Sequence, residues 1–288
     1  MLGLGLQGCS TLRLAYGNAP TAAYWYLDAH LDFTEQQAPA VRTALKQVHQ
    51  WHQQTQLPAY LQTLSRLQMQ MSSDVTPEQA CTLFGQVQDT LRGSGEGMAD
   101  LLQKAALEPA GAGAGGATAV LTTLDARQLR HLERKWVKTN AEYRKDFLEG
   151  SAAKQRERRL DRTISRAEML YGPLDKRQQE LLAERLAQSA YQPELAYSER
   201  LRRQQDLLQT LKTLSGQDTA LKDASLKAVL ARWAEPPEAR YREYSQALRL
   251  RNCETFAALH NSTSAKQRQQ AAAVLQSYAM DLQGFRKS

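Results

Sequence analysis

The chain has 288 residues, 42% hydrophobic and 23% charged, which is the composition of a folded protein with room for one large domain or two small ones. No run approaches the roughly 18 consecutive apolar residues that a spanning helix needs, so no helix is expected to cross a membrane. The net charge of +7 is unevenly divided: residues 1–124 carry six Lys/Arg against nine Asp/Glu, and residues 125–288 carry 31 against 21.

Such a basic half suits nucleic acid, anionic lipid head groups or an acidic partner. Acids are interleaved throughout it, however, as in Arg158-Arg159-Leu160-Asp161-Arg162. That pattern favours a solvated, Arg-rich helical surface and argues against a nucleic-acid partner.

Residues 1–8 end in Leu6-Gln7-Gly8 before Cys9, and this string resembles a bacterial lipobox. In a lipobox the Cys thiol is acylated and becomes the first residue of the mature protein. Eight residues without Lys or Arg are too few for a signal peptide, so residues 1–8 are expected to be the remnant of a longer one. Stable anchoring takes two signals, which a diacylglycerol and an N-acyl chain on Cys9 would supply. Ser10 follows the Cys instead of Asp, which in the usual sorting pattern directs the lipoprotein to the outer membrane.

Residues 9–33 then form an aromatic N-terminal segment. Tyr16, Tyr24, Trp25, Tyr26 and Phe33 suit either a membrane interface or a core. The helical spacing of Tyr24 to Phe33 with Leu27 and Leu31 favours the core.

From residue 34 the chain reads as helix throughout. Residues 34–108 form an acidic helical part, 109–123 a Gly/Ala-rich loop, and 124–288 a basic helical part, all within one continuous domain. The spacing of Leu129, Leu132, Trp136, Tyr143 and Phe147 makes one apolar stripe. Leu160, Ile164, Ala167 and Tyr171 make another, and Val274, Tyr278, Leu282 and Phe285 a third.

Helix starts carry one recurring device, an oxygen-bearing residue followed three places later by Gln. It occurs at Thr34/Gln37, Thr76/Gln79, Asp125/Gln128, Asp175/Gln178 and Ser264/Gln267. This is the capping-box pattern, in which the first side chain accepts from the amide three residues on and the Gln reaches back. Phe33, Val75, Leu124 and Leu174 precede four of these caps as candidate hydrophobic staples. The fold class expected is all-α, a multi-helix bundle or an array of helical hairpins with about ten helices.

With Cys9 acylated, Cys81 and Cys253 remain. An even pair in an oxidising compartment reads as a disulfide, and two buried thiols are the alternative. His49 and His52 lie three apart on an expected helix. No further ligand motif accompanies them, so they read as exposed helix-face histidines, and no metal or cofactor is expected. His260 has neither a nucleophile nor an acid beside it, which favours a structural hydrogen bond. Arg200, Arg202 and Arg203 form the densest basic surface and are the candidate binding surface. No catalytic residues are assigned.

Several strings together resemble a family of uncharacterised, all-helical lipoproteins of Gram-negative bacteria, a domain of unknown function. They include Leu12-Arg13-Leu14-Ala15-Tyr16-Gly17-Asn18-Ala19-Pro20, Tyr24-Trp25-Tyr26-Leu27-Asp28 and Trp51-His52…Leu57-Pro58-Ala59-Tyr60. Thr76-Pro77-Glu78-Gln79-Ala80-Cys81, Leu170-Tyr171-Gly172-Pro173-Leu174-Asp175 and Asn252-Cys253…Leu259-His260-Asn261-Ser262-Thr263 complete the set. The resemblance implies an envelope lipoprotein with Cys81 paired to Cys253, and it supplies no activity or ligand.

The Thr/Asp-x-x-Gln entries also look like the signature of small Spy-type periplasmic chaperones, and more distantly the chain is similar to helical lipase foldases. The functional expectation is a non-enzymatic, protein-binding, chaperone-like or structural lipoprotein. It would face the periplasm, be held to the outer membrane by its lipid, and engage acidic or partly unfolded proteins. An enzyme acting on an envelope polymer, with a site assembled across helices, is the alternative.

Overall fold

The computed structural model describes residues 15–107, 121, 123–214 and 219–285, and among these described residues it has eleven α-helices and no strand. Cys9 and most of the Gly/Ala-rich loop lie outside the described residues. The helices are α1 (Ala19–Leu31), α2 (Ala38–Trp51), α3 (Leu57–Gln70), α4 (Pro77–Leu107), α5 (Ala126–Phe147), α6 (Ala152–Tyr171), α7 (Lys176–Ala187), α8 (Pro193–Leu214), α9 (Thr219–Ala234), α10 (Ala239–Asn261) and α11 (Ala265–Phe285). None of the described helices is long and apolar enough to cross a membrane.

Local chemistry sets most of the helix starts. Asp125 and Asp175 each accept from the amide of the Gln three residues on at 2.8 Å, and each Gln returns the bond to its cap residue's amide. Thr76/Gln79 and Ser264/Gln267 close the same reciprocal pair ahead of α4 and α11. Thr34/Gln37 closes it too, but around a turn that precedes α2 by one step. Pro20, Pro39, Pro58, Pro77 and Pro193 sit in the first turn of their helices, where no amide hydrogen is required. Pro58 also has no N–H to return to Gln54. The chain passes from α2 into α3 there through a single π-helical turn, His52–Gln56.

The capping glutamines have a second use. Gln128 donates to Gln37 Oε1 at 2.8 Å and to the Asp32 carbonyl at 3.0 Å. Gln178 and Gln267 exchange two bonds of 2.9 Å, while Gln178 also donates to the Ser262 carbonyl and Gln267 to the Pro173 carbonyl. Helix starts some 90 residues apart are thus locked face to face, twice in the molecule. Gln128 and Gln178 are buried, and every polar atom of each amide is answered. A third start, at Thr76, is held by Asn261, which exchanges two 2.9 Å bonds with the Val75 backbone.

The staple residues feed the cores beside these locks. Leu124 joins Leu31, Leu129, Leu132, Leu211 and Leu214, and Leu174 joins Met71, Tyr171, Leu182, Leu259 and Leu275. Val75 packs with Ala80, Ala257 and the disulfide between Cys81 and Cys253, whose α-carbons are 5.2 Å apart. This bond ties α4 to α10.

α1 packs on α2 and α5 and places Leu31 and Phe33 in the core, as the helical spacing of Tyr24 to Phe33 favoured. The acidic and basic parts are interleaved, with α3 on α11 and α4 on α10 as the broadest helix pairings. Tyr278 is exposed; α11 instead buries Ala271 and Leu275 where α3 and α6 meet it, and Phe285 against Tyr16.

Candidate functional site

A cleft of about 670 Å³ opens where α1, α5, α8, α9 and α10 meet. Its aliphatic floor comes from Leu31, Leu132, Leu207 and Leu211, and its aromatic walls from Tyr26, Trp136, Trp233 and Tyr241. Arg200, Arg203, Gln204 and His30 supply the polar groups. Size and lining fall in the range of ligand sites, about 300–1,000 Å³ and mostly apolar with a few placed polar groups.

The predicted basic surface divides here. Arg200 and Arg203 line the cleft, whereas Arg202 is turned into the joint between α8 and α9. Glu199 explains the division. It is buried, and its two oxygens accept from Arg202 at 2.6 and 2.8 Å and from Arg203 Nε at 2.6 Å. Arg202 also donates to the Arg232 carbonyl, and Arg232 grips Asp206 with both Nε and Nη2. Burial pushes the Glu199 carboxyl up, but the hydrogen bonds and charges of Arg202 and Arg203 outweigh it and hold it below its ordinary value. The lining's carboxylate is therefore fully engaged. Its spacing to Arg202 and Arg203, three and four residues on, was a legible helical ion-pair signal.

Arg200 is positioned from the side. Its Nε donates to Asn140 Oδ1 at 2.7 Å, and its guanidinium lies 5.2 Å from the Tyr143 ring centroid. Asn140 and Gln204 exchange two further bonds. Beyond them runs an aromatic array in which Tyr143 stacks on Phe147 and Tyr197, and Arg162 and Arg159 cover Phe147 and Tyr191. Arg159, Arg162 and Arg200 thus rest on aromatic faces.

The Trp233 indole nitrogen at the cleft wall is buried without a hydrogen-bond partner. Nothing in the sequence marked Trp136, Trp233 and Tyr241 as neighbours, because they come from three helices.

The histidines do not converge. His30 Nδ1 donates to its own helix at the Tyr26 carbonyl, and His131 donates to the Ala29 carbonyl. His49 and His52 are half-buried, not exposed, because Tyr16 packs over both rings and its hydroxyl meets His52 Nδ1 at 2.8 Å. Burial lowers the pKa of both, and His49 lowers that of His52 further. His260 is buried; its Nε2 donates to the Ser73 carbonyl at 2.8 Å, which fixes Nδ1 as acceptor from the Tyr171 hydroxyl at 2.9 Å. Among the described residues no group of three His, Cys, Asp or Glu is placed to hold a metal.

The fold and cleft define an all-helical, disulfide-tied body with an amphipathic cleft. The chain belongs to a family of unknown function, DUF6279, whose model matches residues 29–242. No curated protein and no solved structure matches it.

Proposed function

We propose that this protein is a non-enzymatic envelope lipoprotein, tethered to the outer membrane through Cys9 and facing the periplasm, that holds acidic or partly unfolded polypeptide segments in the α5–α8 cleft. One observation carries the reading: the cleft joins an aliphatic floor and four aromatic side chains to the guanidinium groups of Arg200 and Arg203. Apolar side chains of an unfolded segment would fill the floor, and its carboxylates would meet the arginines. The Cys81–Cys253 bond supports residence in an oxidising compartment. The engagement of Glu199 by two arginines favours holding over acid–base chemistry.

The test uses the full chain carrying Cys9→Ser, so that it is unacylated. At low salt it should slow aggregation of a reduced model client and lose that effect as ionic strength rises. Arg200→Glu should weaken protection without unfolding the protein. Arg202 is unsuitable for this test because it closes the Glu199 clamp. Absence of protection for several clients at low salt would overturn the reading. Mass spectrometry of the native protein separately tests acylation at Cys9.

A further inference from the structure

α1 has two faces of different character. Tyr24 and Leu31 are buried, and its acid, Asp28, is turned toward the end of the helix, where it accepts from the Phe33 amide at 3.1 Å. The outward stripe is Thr21, Ala22, Trp25, Tyr26 and Ala29, all exposed and none charged. Trp25 is 65% and Tyr26 66% exposed. The solvent face of a helix on a soluble body ordinarily carries charged residues, and an uncharged stripe centred on two large aromatics marks an interaction surface. Trp and Tyr together are the side chains that favour the boundary between lipid and water.

The position of the stripe indicates what covers it. Nine residues separate Cys9 from Ala19 at the start of α1, a reach over ten Cα–Cα steps of at most about 36 Å even fully extended. An acyl chain on Cys9 therefore keeps α1 close to the bilayer, together with the ends of α2 and α11 that Tyr16 packs against.

We propose that the outward face of α1 is a membrane-docking surface, with Trp25 and Tyr26 seated among the lipid head groups. The tether argument rests on the lipoprotein reading above; the aromatic stripe does not. Docking adds a protein contact to the acyl anchor on Cys9 and fixes the orientation of the molecule. Tyr26 and His30 also line the cleft, so docking on α1 brings the cleft mouth to the membrane surface. Client segments would then be held at the bilayer and not out in the aqueous space.

The test uses full-length Cys9→Ser protein with vesicles of phosphatidylethanolamine and phosphatidylglycerol, some carrying brominated acyl chains. The unacylated protein should sediment with the vesicles, and bromine should quench part of its tryptophan fluorescence. Trp25→Phe should remove most of that quenching, since Trp51, Trp136 and Trp233 are partly buried in the body. The double variant Trp25→Asp/Tyr26→Asp should partition at least about tenfold more weakly, with helical circular dichroism unchanged because both side chains are exposed.

Quenching that survives Trp25→Phe, or partitioning that the double variant leaves intact, would overturn the proposal. So would lipid-free self-association abolished by the double variant, which assigns the face to a second copy. Client protection is measured without lipid, so failure here leaves the binding reading standing, and the converse also holds.

Discussion

The paired capping boxes make a quantitative prediction. Gln178→Ala removes four hydrogen bonds at a buried site: Oε1 accepts from the Asp175 amide and Gln267 Nε2, and Nε2 donates to the Ser262 carbonyl and Gln267 Oε1. Gln267 keeps its bonds to the Ser264 amide and the Pro173 carbonyl. The Asp175 amide and the Ser262 carbonyl are left without the partners they had. Two part-buried orphans at about 1 kcal/mol each, together with the lost side-chain packing, predict a loss of about 2–4 kcal/mol. That is a large share of a typical total stability of about 5–15 kcal/mol. Gln267→Ala lies closer to solvent and should cost about 1–2 kcal/mol, since water can replace part of what is lost. In the double variant the shared pair is lost only once, so the two effects should fall short of additivity by about 1–2 kcal/mol. The assay is urea unfolding followed by far-ultraviolet circular dichroism with the disulfide intact. Gln188→Ala, on an exposed turn, is the control and should change stability by less than about 0.5 kcal/mol. A Gln178→Ala cost below about 1 kcal/mol, or additivity within about 0.5 kcal/mol, would show that the locks do not couple the two helix starts.

Other outcomes follow from the same structure. Glu199→Ala leaves Arg202 and Arg203 without their shared carboxylate and should cost about 1–3 kcal/mol by urea unfolding, more than Arg203→Ala. Because the Glu199 carboxyl lies below its ordinary 4.5 in the fold, its contribution is complete above that value and is lost as pH falls through the folded pKa; the Glu199→Gln variant should lack this acid dependence. Burial likewise lowers the His260 pKa below its ordinary 6.5, with Arg268 adding to the shift and Asp74 and the Ser73 carbonyl opposing it. The unfolded chain then binds the proton more readily, so stability is complete above pH 6.5 and falls on acidification below it, and His260→Gln should flatten that slope in melting temperature. Reduction of Cys81–Cys253, or the Cys81→Ala/Cys253→Ala variant, should cost about 2–5 kcal/mol and show as a lower urea midpoint.

The helical class, the apolar stripes of α5 and α6 and five capping boxes were legible in the sequence because each depends on residues three or four apart. The reciprocal Asp/Gln bonds at 125/128 and 175/178 are local events that need no tertiary partner. The Cys81–Cys253 pair was offered by the cysteine count, with buried thiols as the alternative, and implied by the family resemblance; two cysteines 172 positions apart carry no geometric signal of their own.

What each local signal would meet was decided by packing. Nothing in Gln37 or Gln178 says that a second capping glutamine lies across from it, some 90 positions away. The basic run at 200–203 looks uniform as a sequence. In the fold, the burial of Glu199 turns Arg202 inward and leaves Arg200 and Arg203 at the cleft. Tyr24, Trp25 and Tyr26 are adjacent in the chain but point in directions about 100° apart around a helix. Once α2 and α5 had covered one side of α1, Tyr24 was buried and Trp25 and Tyr26 were left outside. A periodic pattern determines that a helix has faces; the neighbours that dock on it determine which face is core and which remains free for a partner.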